Sequence, residues 1–312
     1  MQGSRRPDWL DVIWCTVEKR PSPIEGLDRT GGLLANADAG EVGQPDSLLG
    51  SEILYRRFVG GNVIEAQGNR GPSLSREFRK YLQRKSAWKL KREVLFQLLR
   101  TRCRREHLPE HGYFQPRHIE QILLQAEANM KQLMPFFIDI DHLGNYRNEY
   151  LGLIDLAIYR ALITEHVEKD YAISLVADSL WLAALHLQSS PLLAMGNILM
   201  RLSSKTPTDH LGKILNWVMK TRVGPPGYRV NVHRENDVFH LDYSSCLVHD
   251  FYKQFGKEEL QFFRRTWCTS DFATAEMLVD GGRCERAHTL SDGDGVCDMR
   301  WFVKSRNLPD SA

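Results

Sequence analysis

No stretch of the chain comes near the ~20 almost uninterrupted apolar residues that a membrane-spanning helix requires. The two most apolar segments, 173–187 and 191–200, are broken by Asp178, His186 and Asn197 and read as buried helices. Charge of one sign is lacking too. Lys and Arg number 41 against 39 Asp and Glu, a net +2 that offers no whole-chain attraction for nucleic acid or an anionic membrane. The six cysteines among 312 residues include no Cys-x-x-Cys pair and no dense framework. That spacing argues against a zinc site or a disulfide scaffold and suits free thiols in a reducing compartment. Near the beginning, Arg5 and Arg6 are followed by no apolar run of the secretory type, so the expected location is the cytoplasm. No internal repeat is visible, and the residues ask for neither a metal nor an organic cofactor.

What is present is an ordinary globular composition, 42% apolar and 26% charged, with ample length for a core. Residues 1–72 are rich in Gly, Pro, Asp, Ser and Asn and lack periodicity, so they read as a flexible extension. Trp9, Leu10, Val12, Ile13 and Trp14 form its one short apolar patch. The texture changes at Ser73, which with Ser75 can cap a helix running to about Arg105. Phe78, Tyr81, Leu82, Val94, Leu95, Leu98 and Leu99 mark its apolar side. Arg76, Arg79, Lys80, Arg84, Lys85, Lys89, Lys91 and Arg92 make its first half basic. Few aromatic residues interleave for base stacking, so this face reads as solvated rather than as a nucleic-acid surface.

Helical spacing recurs over 116–134, 148–167, 171–187 and 191–204, after which Gly224-Pro-Pro-Gly227 makes a clear break. Beyond it, 228–233 and 238–242 alternate as two strands. A helix over 245–255 ends at Gly256, and another over 257–278 ends at Gly281-Gly282. Residues 283–291 and 296–304 read as a closing hairpin. The expected fold is α+β: a helical layer over 73–224, then over 225–304 a small antiparallel sheet with two packed helices, and a tail from 305 to 312.

Chemistry concentrates in this last part. Cys246 is expected at a helix N-terminus, where backbone N–H groups favour a thiolate, with His249 and Asp250 on the same face. Cys268 and Asp271 share a helix face at i, i+3. Cys297 and Asp298 are consecutive in a strand and point to opposite sides. The preferred arrangement turns Cys297 inward, gives it Asp271 as acid–base partner, and leaves Asp298 to brace the glycine turn 292–295. Arg286, Arg300 and His249 are the candidates for holding a substrate. Each cysteine alone also fits the role of a small buried hydrophobe.

The run Phe239-His-Leu-Asp-Tyr-Ser-Ser-Cys246, the block Cys268-Thr-Ser-Asp271 and the block Arg286-Ala-His-Thr-Leu-Ser-Asp-Gly-Asp-Gly-Val-Cys297-Asp298 together resemble the L-2-amino-thiazoline-4-carboxylic acid hydrolase family. Upstream, Met134-Pro-Phe-Phe-Ile138, Leu143-Gly-Asn145 and the segment 156–162 are similar as well, so the likeness spans about 115–303. It implies a small-molecule substrate and hydrolytic opening of a thiazoline ring, giving an N-carbamoyl cysteine in the namesake pathway. The positions it marks are Cys246, Cys268, Asp271, Gly293, Cys297 and Asp298. Met299 stands where the family commonly has an aromatic residue, and residues 1–105 lie outside the likeness. A ring-forming enzyme of the same fold, or a binding protein without catalysis, are the alternatives.

Overall fold

The computed structural model describes residues 76–106 and 108–304. The extension 1–72 with its Trp9–Trp14 patch, the Ser73 and Ser75 caps and the tail 305–312 lie outside the described residues. Helix α1 (Arg76–Arg100) departs from the expected pattern at five positions. Phe78, Tyr81 and Leu82 are exposed, whereas Lys80 and Lys91 are buried. Both lysines have carboxylate partners: Lys80 pairs with Asp139, and Lys91 Nζ lies 2.7 Å from Asp155 Oδ1. Two of the eight basic residues thus face inward, each against an anion, while Arg76, Lys85 and Lys89 stay exposed as expected.

Helix α2 (Pro116–Leu133) starts at Pro116 and lies along α3 (Leu143–Thr164). Residues 142–145 form the N-cap and first turn of α3, with His142 Nδ1 accepting from the Asn145 amide at 3.2 Å. Helix α3 is buried on nearly every side and forms the centre of the helical layer, flanked by α1 and α4 (Lys169–Gln188). Helix α5 (Pro191–Leu202) follows.

Helix α6 (Pro207–Thr221) has no counterpart in the periodicity reading. Its signal was present in Thr206, whose hydroxyl caps the Asp209 amide at 3.0 Å, in Pro207 at the first position, and in Leu211, Ile214, Leu215 and Val218 on one buried face. The end of α6 meets the first turn of α3 so closely that a Cβ on Gly144 would lie 2.6 Å from Thr221 O.

The sheet contains β1 (Tyr228–Glu235), β2 (Val238–Cys246), β3 (Gly282–Arg286) and β4 (Cys297–Val303), all antiparallel, in the order β1-β2-β4-β3. Residues paired across strands share a face. Leu241 pairs with Met299, Tyr243 with Cys297, Cys284 with Trp301 and Arg286 with Met299. These seven positions contribute one buried face, on which Cys284, Arg286, Cys297, Met299 and Trp301 all lie.

Between β2 and β3 run α7 (Leu247–Lys253), α8 (Lys257–Phe263), a single π-helical turn (Arg264–Cys268) and α9 (Ser270–Leu278). The single helix expected over 257–278 is therefore divided. The Thr266 hydroxyl donates to Phe262 O and Thr269 to Arg265 O, back-bonds of the kind that open a helical ladder. The widened turn carries Trp267 inward, where Nε1 donates to Asp155 Oδ2 at 3.1 Å. Asp155 thus joins α1, α3 and the turn bearing Cys268. Helix α9 packs hard on β3, since a Cβ at Gly282 would stand 2.1 Å from Ala275 O. Among the described residues, no helix is long and apolar enough to cross a membrane.

Candidate active site

The site is built on the loop between β3 and β4. Two aspartates shape it. Asp294 Oδ2 accepts from the Thr289 amide at 2.8 Å, closing the glycine turn back on the start of the loop. Asp298 Oδ1 accepts from the amides of Ala287 (3.0 Å) and His288 (2.6 Å), while Oδ2 meets His288 Nδ1 at 3.1 Å. Partial burial pulls the Asp298 pKa up, but the hydrogen bonds from His288 and Ala287 outweigh it and leave the carboxyl below its ordinary range. His288 answers in kind: its hydrogen bond to Asp298 raises its pKa. Asp298 is a brace, but it holds Ala287 and His288 rather than the glycine turn 292–295 expected for it.

Held this way, the loop lays a short 3-10 turn, Leu290–Asp292, over Cys297. The Leu290 amide donates to Cys297 Sγ at 3.1 Å, and Cys297 Sγ lies 3.6 Å from Thr289 Oγ1. Thr289 Oγ1 is 2.9 Å from Ser291 Oγ, and Ser291 Oγ is 3.8 Å from Cys268 Sγ. Two thiols from separate elements are thereby joined through two hydroxyls. Both cysteines are only 1% exposed. An ion pair between Arg264 of the π-turn and Asp292 fastens the loop to the segment carrying Cys268.

Asp271 occupies a different part of the same layer. It is 0% exposed, in the first turn of α9. Cys284, which the motif reading passes over, is its identified neighbour: burial pushes the Cys284 thiol well up, the Asp271 charge raises it further, and Arg286 opposes the rise. Cys284 sits opposite Trp301, four residues along β4 from Cys297, a separation of about 13 Å at the usual rise of a strand. Hydrogen bonds link Cys297 to Cys268 through the two hydroxyls, and electrostatics links Asp271 to Cys284.

The substrate-holding candidates divide in the same way. Arg286 is buried on the face of Cys297. Arg300 is exposed on the opposite face, 3.8 Å from Asp298, because successive strand residues alternate. Arg300 is therefore on the wrong side of the sheet to reach a substrate at Cys297. His249 is buried, and its imidazole hydrogen bond goes to Asp250 at 3.1 Å rather than to Cys246. Cys246 is the N-cap of α7, the helix-terminal position expected for it, and also the last residue of β2, paired with Tyr228.

Sequence reasoning left out Thr289, the Leu290 amide, Ser291 and Asp294. The signal for them was the density of hydroxyl, Asp and Gly residues in 289–295, which is the composition of a tight, self-bonded loop. Among the described residues, no group of three or more His, Cys, Asp and Glu side chains is placed to hold a metal ion. No protein-family model, curated protein or solved structure matches the chain.

Proposed function

We propose that this chain is a small-molecule hydrolase of the L-2-amino-thiazoline-4-carboxylic acid hydrolase type, opening a thiazoline ring with Cys297 as nucleophile. The observation that carries the reading is the 3.1 Å hydrogen bond from the Leu290 amide to Cys297 Sγ, on a sulfur withdrawn from solvent. A backbone N–H aimed at sulfur favours the thiolate, and the thiolate is the nucleophilic form.

The chemistry balances without a cofactor. The Cys297 thiolate adds to C2 of the ring, and the C2–S bond of the ring breaks as its sulfur takes up a proton. An isothiourea linkage then joins C2 to Cys297. Water adds at C2, the bond to Cys297 breaks, and the product carries a urea carbonyl on the cysteine nitrogen. Arg286, the buried cation on the Cys297 face, is assigned to the substrate carboxylate. One proton of the hydrolytic water goes to the amidine nitrogen and the other returns to the departing Cys297 sulfur, so Asp271, grouped with Cys284, takes no step in this scheme. A reducing cytoplasm is the setting that keeps these thiols free.

The test is to incubate the protein with L-2-amino-thiazoline-4-carboxylate, titrate released thiol and identify the product by mass spectrometry. One N-carbamoyl cysteine per thiol released supports the reading. Thiol release no faster than without protein, across 2-amino-thiazoline carboxylates, would sink it.

A further inference from the structure

Thr289 Oγ1 has a hydrogen-bond pattern that fixes a direction. It accepts from the Ser291 amide at 3.2 Å and from the Cys297 thiol at 3.6 Å. A hydroxyl has two lone pairs and one proton, so with both lone pairs engaged its proton has to be donated. The partner on that side is Ser291 Oγ, at 2.9 Å. Either atom can be the donor between Ser291 Oγ and Cys268 Sγ, 3.8 Å apart, and the relay takes the arrangement in which Ser291 donates. Every link then points one way, from Cys297 through Thr289 and Ser291 to Cys268.

We infer that Cys268 is the proton acceptor that activates Cys297, through a two-hydroxyl relay made by Thr289 and Ser291. This rests on the reading of Cys297 as the nucleophile. The pair carries one negative charge between its two sulfurs. With Cys268 as thiolate, the Ser291 proton moves to Cys268, the Thr289 proton to Ser291 and the Cys297 proton to Thr289. Three O–H or S–H bonds break and three form, and no proton leaves the chain. Cys297 becomes the thiolate, and the Leu290 amide holds it. Because donor and final acceptor are both thiols, the transfer has little intrinsic cost, and the Leu290 hydrogen bond biases it toward Cys297. Run in reverse after the attack, the same relay returns a proton from Cys268 toward the departing ring sulfur. Thr289 and Ser291 are positioning residues, acting through the sulfurs. Arg264, paired with Asp292, keeps the two ends of the relay in register.

The relay can be tested without any substrate. The full chain is labelled with 13Cβ-cysteine, the Cys297 resonance is assigned with Cys297→Ser, and its shift is followed against pH. The first titration step of Cys297 is expected to rise by about one pH unit in Ser291→Ala, in Thr289→Val and in Cys268→Ala, the size of one hydrogen bond to a charged group. Thr289→Ser, which keeps the hydroxyl, is expected to restore the original midpoint. Adding Ser291→Ala to Cys268→Ala is expected to move it no further. Should the buried Thr289→Val chain fail to fold, Ser291→Ala on the more open turn gives the same measurement. A Cys297 titration untouched by Ser291→Ala and Cys268→Ala, or one that shifts additively in the double variant, overturns the relay. A chain that passes but opens no thiazoline keeps the relay and loses the hydrolase reading. Undiminished turnover in Ser291→Ala keeps the hydrolase and loses the relay.

Discussion

The Leu290 amide reaches Cys297 Sγ at 3.1 Å because both ends of the intervening loop are tied down, by Asp294 on Thr289 and by Asp298 on Ala287 and His288. The environment of the Cys297 thiol is thus set by carboxylates that never touch its sulfur. Loop geometry, more than any group on Cys297's own strand, decides what the thiol can do.

The His288–Asp298 pair has a defined pH window. His288 is raised by its bond to Asp298, so its contribution is complete below the ordinary imidazole value of about 6.5 and is lost as pH climbs through the raised one. Asp298 is lowered, so its contribution is complete above the ordinary carboxylate value of about 3.9 and is lost as pH falls through the lowered one. Both act together between those two ordinary values. Asp298→Ala is expected to return the His288 midpoint to about 6.5, read from its ring resonances, and to lower stability by about 1–2 kcal/mol. An unchanged His288 midpoint would show that the bond does not hold the loop.

Glu149 supplies a second pH dependence, in the opposite sense to an ion-paired carboxylate. Burial pushes its pKa up to about 8, against the pull of the Ile138 amide, which donates to Oε1 at 2.8 Å, while the Asp139 charge adds to the rise. A raised carboxyl stabilises most below its ordinary value of about 4.3, and stability falls as pH rises toward the shifted one, by at most about 1.4 kcal/mol per unit. Glu149→Gln is expected to flatten that slope. Urea melts at pH 5 and pH 9 measure it: the substituted chain should gain on the parent at pH 9 relative to pH 5, and parallel slopes would refute the shift.

Lys91 and Asp155 are an ion pair with both partners buried, 2.7 Å apart. Removing only the cation leaves a carboxylate stranded, so Lys91→Met is expected to cost about 3–5 kcal/mol in a denaturant melt. Asp155→Asn in the same background should recover part of that loss, because a neutral amide can still accept from Trp267 Nε1. A loss below about 1 kcal/mol for Lys91→Met would mean that Asp155 is neutral in the folded chain.

These residues also mark where sequence reading succeeds and where it stops. The α+β order, the closing hairpin and the inward turn of Cys297 were legible because period-2 and period-3.6 patterns and turn residues are local signals. Lys80 and Lys91 were misread as a solvated face because their partners, Asp139 and Asp155, lie 59 and 64 residues away, and no local pattern carries that pairing. The break at Arg264–Cys268 was hidden because an extra residue in a helical turn leaves composition unchanged. Cys268 and Cys297 were each visible, but their connection runs through Thr289 and Ser291 on a third element. Arg286 and Arg300 looked equivalent until strand pairing put them on opposite faces.

The central claim is that Cys297 performs the ring opening, and its sulfur can be deleted without disturbing the loop aspartates. Initial rates with L-2-amino-thiazoline-4-carboxylate, measured by thiol release for the parent, Cys297→Ser and Cys297→Ala, test it most directly. The account predicts a fall of about a thousandfold or more in the alanine variant, with an adduct on Cys297 in the parent when the reaction is quenched early. Parental turnover in Cys297→Ala, with no adduct on Cys297, would contradict it.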